Sequence, residues 1–279
     1  MLRLARSGAW LIRRPIAGTD LVDAASCYPL LCCERWTSLG SDLEDLEGIV
    51  SVTAVTDPLG SYTFESLQSD FGDLVRPFKT HYVVHLTALR LSSLRPQHRR
   101  QVAKSSRTIT VERCEDPMSL EREWVDLYSQ LVRRHEISGL AAFSPATLGQ
   151  QLRVPGLVAY RALIGEITVG IVLWYVSPPV CYYHLGAYSP AGYKSAASYA
   201  IFWRALEDLA TEGLLYANLG GGAGLVSAGT DGLSRFKSGW ATEERSAYLC
   251  GKILEPAAYA QCTSGATQAV PGFFPAYRS

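Results

Sequence analysis

Polar and apolar positions follow two rhythms along this chain, one of period two and one of helical spacing. The stretch I-V-S-V-T-A-V, Ile49 to Val55, is β-branched and predicts a strand. So do K-T-H-Y-V-V-H-L, from Lys79 to Leu86, and the alternating R-T-I-T-V-E-R, from Arg107 to Arg113. Between Met118 and Glu136, Leu120, Trp124, Leu127, Leu131 and Val132 recur with helical spacing, and Ser119 or Asp116 can cap that helix. Ser144-Pro145 opens another helix, with proline at its tolerated first position. Gly156 to Ile164 and Thr168 to Val176 flank Gly165-Glu166 and read as a hairpin. Ala9 to Ile16 reads as a short strand broken by Arg13-Arg14-Pro15, Phe64 to Phe71 as a helical turn or two, and Leu94 to Ser105 as a basic helix.

The most informative run lies between Val180 and Trp240. Val180 to Tyr188, V-C-Y-Y-H-L-G-A-Y, predicts a strand, and Ser189 to Gly192 a turn. The following helix buries Tyr199, Phe202, Trp203, Leu206 and Leu209, and Gly213 sits where a left-handed cap ends it. Leu214 to Leu219 is a short apolar strand, broken by Gly220-Gly221-Gly222. A strand–helix–strand unit of this length requires a right-handed crossover and a parallel strand pair. Such pairs open a crevice at their carboxyl ends, and the turn Ser189 to Ser195 lies there. The later strand, Glu244 to Leu254, and a terminal helix, Pro256 to Cys262, complete an α/β chain with a mixed sheet and flanking helices. The expected division is a lobe over 1–140, a second over 141–262 and a loose tail over 263–279.

Charge alters this picture little. Lys+Arg and Asp+Glu number 26 each, so no net field calls for DNA, and no apolar run reaches the ~18–20 residues of a membrane helix. Neither membrane insertion nor a signal peptide is expected. One basic run stands out: Arg90, Arg95, His98, Arg99, Arg100, Lys104 and Arg107, a solvated face or a contact for a phosphorylated substrate or tRNA. The seven cysteines are irregularly spaced and lack a C-x-x-C pair, which favours a reduced, cytoplasmic protein without a metal site. A redox or metal protein built on Cys27, Cys32 and Cys33 is the minor alternative.

Three phrases carry a resemblance: G-A-Y-S-P-A-G-Y-K-S-A-A-S-Y-A, then N-L-G-G-G, then R-F-K-S-G-W. In that order they resemble the GNAT-fold acyltransferases, and within them the FemABX-like or BioF2-like group, over roughly Tyr82 to Ile253. Tyr193-Lys194 before the helix and Phe236-Lys237 after the glycines match that group's pairs. The resemblance implies two tandem GNAT-like lobes and N-acyl transfer from acyl-CoA or aminoacyl-tRNA, as co-substrate rather than resident cofactor, to a small-molecule amine. The R/Q-x-x-G-x-G/A loop that holds the CoA pyrophosphate is replaced by G-Y-K-S-A-A, and the long coiled coil that contacts tRNA has no counterpart. A GNAT-shaped binding or scaffold protein without a donor site is therefore the alternative function.

For acyl transfer, Lys237 is the candidate cation for a tetrahedral oxyanion, against a surface lysine on a capped turn. Phe236 would position the acceptor through packing or its carbonyl, or simply fill core. His184 is the candidate base, with Tyr182 and Tyr188 on its face by period-two alternation; the alternative is a satisfied core histidine. Tyr193, Lys194 and Ser195 are candidates for phosphate or carboxylate binding. Asp231 would cap a helix over Arg235 or orient Lys237. Gly221 and its neighbours Gly220, Gly222 and Gly224 would allow close ligand approach or a mobile loop.

Overall fold

The computed structural model describes residues 1–27, 29–222, 231–264 and 273–278. The chain forms two compact units: residues 1–80 with 245–279, and residues 81–244. This division by contact falls elsewhere than the boundary expected near residue 140, because the chain's end returns to the unit in which it began.

In the first unit, β1 (Leu2–Arg3), β2 (Trp10–Pro15) and β3 (Val22–Ser26) run antiparallel in turn. Helix α1 (Leu39–Glu44) precedes β4 (Ser51–Val55), which pairs in parallel with β3. Helix α2 (Phe64–Phe71) follows, held by a capping box between Thr63 and Ser66. Strand β5 (Leu74–His85) begins in this unit and ends in the other. Leu11, Ala24, Val52, Leu67 and Phe71 meet in its core. Asp23 is fully buried there, yet its carboxylate accepts from Arg14 Nε at 2.9 Å, Arg278 Nε at 2.6 Å and the Tyr277 hydroxyl at 3.0 Å. A buried charge needs that degree of pairing. The described end of the tail expected to be loose is thus tied down by its own arginine and tyrosine.

The second unit is built from α3 (Pro96–Ser105), β6 (Thr110–Cys114), α4 (Glu121–His135), α5 (Pro145–Gln151), β7 (Leu157–Ile164), β8 (Ile167–Ser177), β9 (Val180–Tyr188), α6 (Pro190–Lys194), α7 (Ala197–Thr211), β10 (Tyr216–Asn218) and α8 (Gly232–Ser238). Its strands lie in the order β5-β10-β9-β8-β7-β6. Only β9 and β10 are parallel, as the crossover helix α7 demands. Val172, Trp174, Phe202, Leu206 and Trp240 pack on one face of this sheet, Trp124, Leu127, Leu148, Ile171 and Leu173 on the other. Strand β11 (Glu243–Ile253) returns to the first unit and pairs with β4, and α9 (Pro256–Ser264) follows it.

The mixed α/β class is therefore as expected, and the strand Val180 to Tyr188 has the predicted bounds. The turn after it is a helix of one and a half turns instead, because Ser189 caps Gly192 N–H and Pro190 starts α6 with its φ preset. Strand β3 was not read from the sequence, since the buried Asp23 breaks its apolar pattern. No helix among the described residues is long and apolar enough to cross a membrane.

Glycine is required at position 192, where a Cβ would run into the backbone oxygen of Val169, the same oxygen that receives Ser189 N–H. Gly192→Ala is expected to lower stability by about 1–3 kcal/mol in urea unfolding. A midpoint unchanged from wild type would show that α6 is not seated on β8 in this way.

Candidate functional site

One residue too many sits in β9. Trp174 pairs with Tyr183, and Leu173 pairs with Leu185, so His184 is a bulge. Period-two alternation therefore fails across it. Tyr183, Gly186 and Tyr188 stand opposite Trp174, Val172 and Gly170 on the α7 face. Tyr182, paired with Tyr175, and Leu185, packed beside it, stand on the α4 face. Tyr188 is consequently not on the face of His184 as expected.

The bulge coincides with the parting of the parallel pair. Strand β10 pairs with β9 at Tyr216–Val180, Ala217–Cys181 and Asn218–Tyr182, and β9 then runs on to Tyr188. Residues Tyr182 to Gly186 are accordingly half-buried, whereas Ala187 and Tyr188 are buried. A strand edge that loses its neighbour leaves backbone groups for a ligand to pair with.

Lys237 meets β9 beside this parting. It is 6% exposed, and its ammonium donates to Gly221 O at 2.7 Å and stands 5.6 Å from the centre of the Tyr183 ring. A lysine this buried is rare, and the carbonyl and the aromatic face are what a desolvated ammonium needs. Helix α8 begins at Asp231, whose carboxylate accepts from Leu233 and Ser234 N–H at 2.9 Å each. Asp231 is thus a helix cap. Ser234 and Lys237, three apart, share the buried face, and Arg235 is exposed on the other side. The glycines lie flush against that face. A Cβ on Gly220 would come 3.3 Å from Lys237 Nζ, and one on Gly222 would meet the Ser234 hydroxyl. Gly220 also has φ +75°, which suits glycine alone. Gly224 lies outside the described residues.

A polar link absent from the sequence reading sets the height of this glycine strip. Asn218 Oδ1 accepts Gly220 N–H at 2.8 Å and lies 3.0 Å from His81 Nδ1. Because the glycine amide can only donate, the shared atom is oxygen and His81 Nδ1 carries a proton. Asn218 and His81 are both buried.

The remaining candidates divide. Tyr193 packs against Tyr188 at 5.7 Å, with the Arg134 guanidinium 4.1 Å from its ring centre and His135 Nε2 3.5 Å from its hydroxyl. Burial raises the pKa of Tyr183 above the ordinary phenol value, and nearby Tyr193 adds to it. Burial does the same to Tyr188, helped by Tyr183 and Tyr193. These three phenols thus run as a group from Lys237 to the 193–195 turn. Tyr183 as a residue is half-buried, and the raised pKa reflects the desolvation of its phenol. Lys194 is exposed, and the Ser195 hydroxyl is spent on Ala191 O and Gly192 O at 2.9 and 3.2 Å. Phe236 is core, within 4.9 Å of Phe202 and 5.2 Å of Tyr199. Its carbonyl already accepts from His98 Nε2 at 2.8 Å, so packing rather than that oxygen is what it offers a substrate. His184 packs at a tilt against Tyr175 at 4.7 Å, on the sheet face away from Tyr183 and Lys237, and desolvation depresses its pKa to about 4. It is neutral at pH 7 and a weak base. Among the described residues, no three His, Cys, Asp or Glu side chains converge as a metal site, and Cys27, Cys32 and Cys33 are free thiols with separate neighbours.

Two predictions follow from these contacts. Removing by Asn218→Ala the acceptor shared by the half-buried Gly220 amide and the buried His81 ring is expected to cost about 1–3 kcal/mol in urea unfolding; a change within error would refute the link. The pKa of His184 in the folded chain, about 4, lies below the ~6.5 of an unfolded histidine. The unfolded chain therefore binds the proton first, and the stability contributed by the neutral ring is full above pH 6.5 and lost as pH falls toward 4. The stability of wild type relative to His184→Phe should fall as pH drops through that window; a constant difference would contradict it.

Comparison with known proteins agrees with this architecture. No curated protein matches the sequence. The structure is similar to that of FemX, with a TM-score of 0.64 at 12% identity over 91% of this chain and 90% of that one. It is similar to the C-terminal domain of a putative lysylphosphatidylglycerol synthetase from Agrobacterium fabrum, with a TM-score of 0.63 at 15% identity over 91% and 83%. It is also similar to L-PGS from Bacillus licheniformis, with a TM-score of 0.59 at 15% identity over 90% and 83%. At these identities the likeness speaks for the fold. Residues 92–238, more than half of the chain and the whole stretch from α3 through α8, match the acetyltransferase (GNAT) domain, and the chain belongs to that family.

Proposed function

We propose that this protein is an N-acyltransferase that moves an acyl or aminoacyl group from an activated thioester or ester to an amine, at the parting of β9 and β10. The observation that carries this reading is the buried Lys237 ammonium, held over Tyr183 where β9 runs on past its described pairing with β10. Family membership supports the reaction class.

In this reading the donor lies along β9 beyond Tyr182, where the described pairing with β10 has ended, its polar groups paired with strand backbone and its carbonyl directed toward Lys237. The neutral amine attacks that carbonyl. Its lone pair forms the C–N bond, negative charge collects on the carbonyl oxygen, and the ammonium of Lys237 stabilises it. As the intermediate collapses, the C–S or C–O bond breaks, and the amine proton ends on the departing thiol or hydroxyl. The charge on Lys237 is present before the reaction, in a water-poor setting, so little reorganisation is required. Tyr183 and Tyr188 form the wall of the site, and Tyr193, held by Arg134, lies at the end where Lys194 is exposed. The donor is acyl-CoA or aminoacyl-tRNA. The seven free cysteines suit a reducing compartment such as the cytoplasm.

The test supplies acetyl-CoA, a longer acyl-CoA and aminoacyl-tRNA in separate reactions with a panel of primary amines, and reads acylated product by mass spectrometry. One donor class is expected to give product. Lys237→Met, which keeps the stem and removes the charge, should then lower kcat by about 10²–10³. Turnover within a few-fold of wild type would remove Lys237 from the chemistry.

A further inference from the structure

We propose that His98 is a positioning residue that fixes the backbone at Phe236, and through it the direction in which Lys237 leaves α8; its part in catalysis rests on the function proposed above. His98 is 5% exposed on α3, a helix otherwise rich in solvated charge. Its ring enters a box made by Tyr199 and Trp240, each 5.1 Å away, and Phe236 at 5.9 Å. The floor of the box is Gly239, where any side chain would run into the imidazole.

Within this box the ring makes one directed contact, from Nε2 to Phe236 O at 2.8 Å. A carbonyl only accepts, so Nε2 carries the proton and His98 is a donor. The same oxygen receives Gly239 N–H at 3.3 Å, the last-turn bond of α8. The carbonyl one residue before Lys237 therefore has two donors, one from its own helix and one from α3. The second anchors the end of α8 against rotation, and rotation there would swing the Lys237 stem away from Gly221 and Tyr183.

Stability alone does not account for histidine at this position. A phenylalanine would suit an aromatic box and would carry no polar atoms. The imidazole instead leaves Nδ1 buried without a hydrogen-bond partner among the described residues. Burial, with Arg95 nearby, opposes a charge on the ring, although the bond to Phe236 favours one, and the net pKa is lowered. The neutral ring is thus retained at a cost, and its one use in the structure is to hold a carbonyl beside the buried lysine.

The experiment compares wild type with His98→Phe, which keeps the ring and deletes the donor, and His98→Gln, which restores an N–H near the place of Nε2. The first readout needs no substrate: brief labelling with acetic anhydride, with modification of each lysine followed by mass spectrometry. Lys252, in the other unit and bonded to Asp70 O, is the internal standard for global opening. Lys237 in His98→Phe should label about tenfold faster than in wild type, and in His98→Gln within about threefold, with Lys252 unchanged. Long-range ¹⁵N spectra of the wild-type ring should show Nε2 protonated and Nδ1 bare. The second readout is turnover with whichever donor the wild type uses: kcat should fall by about 10–100-fold in His98→Phe with KM nearly constant, and Gln should recover most of it. Lys237 labelling within twofold of wild type in His98→Phe, or no recovery with Gln, overturns the proposal. Released Lys237 with turnover unchanged, both in His98→Phe and in Lys237→Met, upholds the clamp and removes the catalytic reading of the lysine. Unchanged labelling with turnover lost in Lys237→Met does the reverse.

Discussion

Between Tyr183 and Leu185, strand β9 contains one residue more than the stretch of β8 that faces it, and the surplus at His184 decides which side chains share a face of the sheet. Without the bulge, Tyr183 and Tyr188 would point to opposite faces. With it they share the α7 face with Gly186, and the described pairing of β9 with β10 ends just before it, at Tyr182–Asn218. Two features meet here: β9 runs on past its described pairing with β10, and the Tyr183 ring lies beside Lys237 of α8. A ligand paired to that edge would pass the Tyr183 ring over which Lys237 is held.

The ammonium of Lys237 would be expensive in an ordinary core. Three local features make it tolerable. The last carbonyls of α8 favour a cation at that end. Gly221 supplies an oxygen at 2.7 Å, and Tyr183 supplies a π face. The first is generic to helices, whereas the other two depend on distant parts of the chain. Gly221 is placed because Asn218 and His81 hold Gly220, and Tyr183 is placed because of the bulge. The lysine thus reads out the arrangement of β5, β9 and β10 at once.

This distribution explains what could be read from the sequence. Strand β9, helix α7 and the cap at Gly213, with φ +84°, are local matters of periodicity and backbone freedom, and they were legible. So was the order of the three phrases at 186–200, 218–222 and 235–240, which singled out Lys237, a lysine the structure buries. The bulge was not legible, because it is a mismatch between two paired strands and neither strand shows it alone. The contacts of His81, and those of His98, expected only as a member of a basic run, were hidden for a similar reason: their partners Asn218 and Phe236 lie 137 and 138 positions away. A basic run with helical spacing also drew attention to the exposed arginines of α3 rather than to the one histidine it buries.

Unsatisfied polar atoms do not by themselves point to a site here, since Trp124 and Tyr160, elsewhere in the core, also leave a buried polar atom without a hydrogen-bond partner among the described residues. The contrast with Asp23 is more instructive. That buried carboxylate is fully engaged by two arginines and a tyrosine, and the result is an anchored chain end. His98 is half engaged: one nitrogen is committed to a helix-terminal carbonyl and the other is left bare in an aromatic box. A residue selected only to fill space would not be polar, and one selected only for polar stability would have both nitrogens paired. The remaining account is that a direction is being enforced, and the direction is that of the lysine one residue further on.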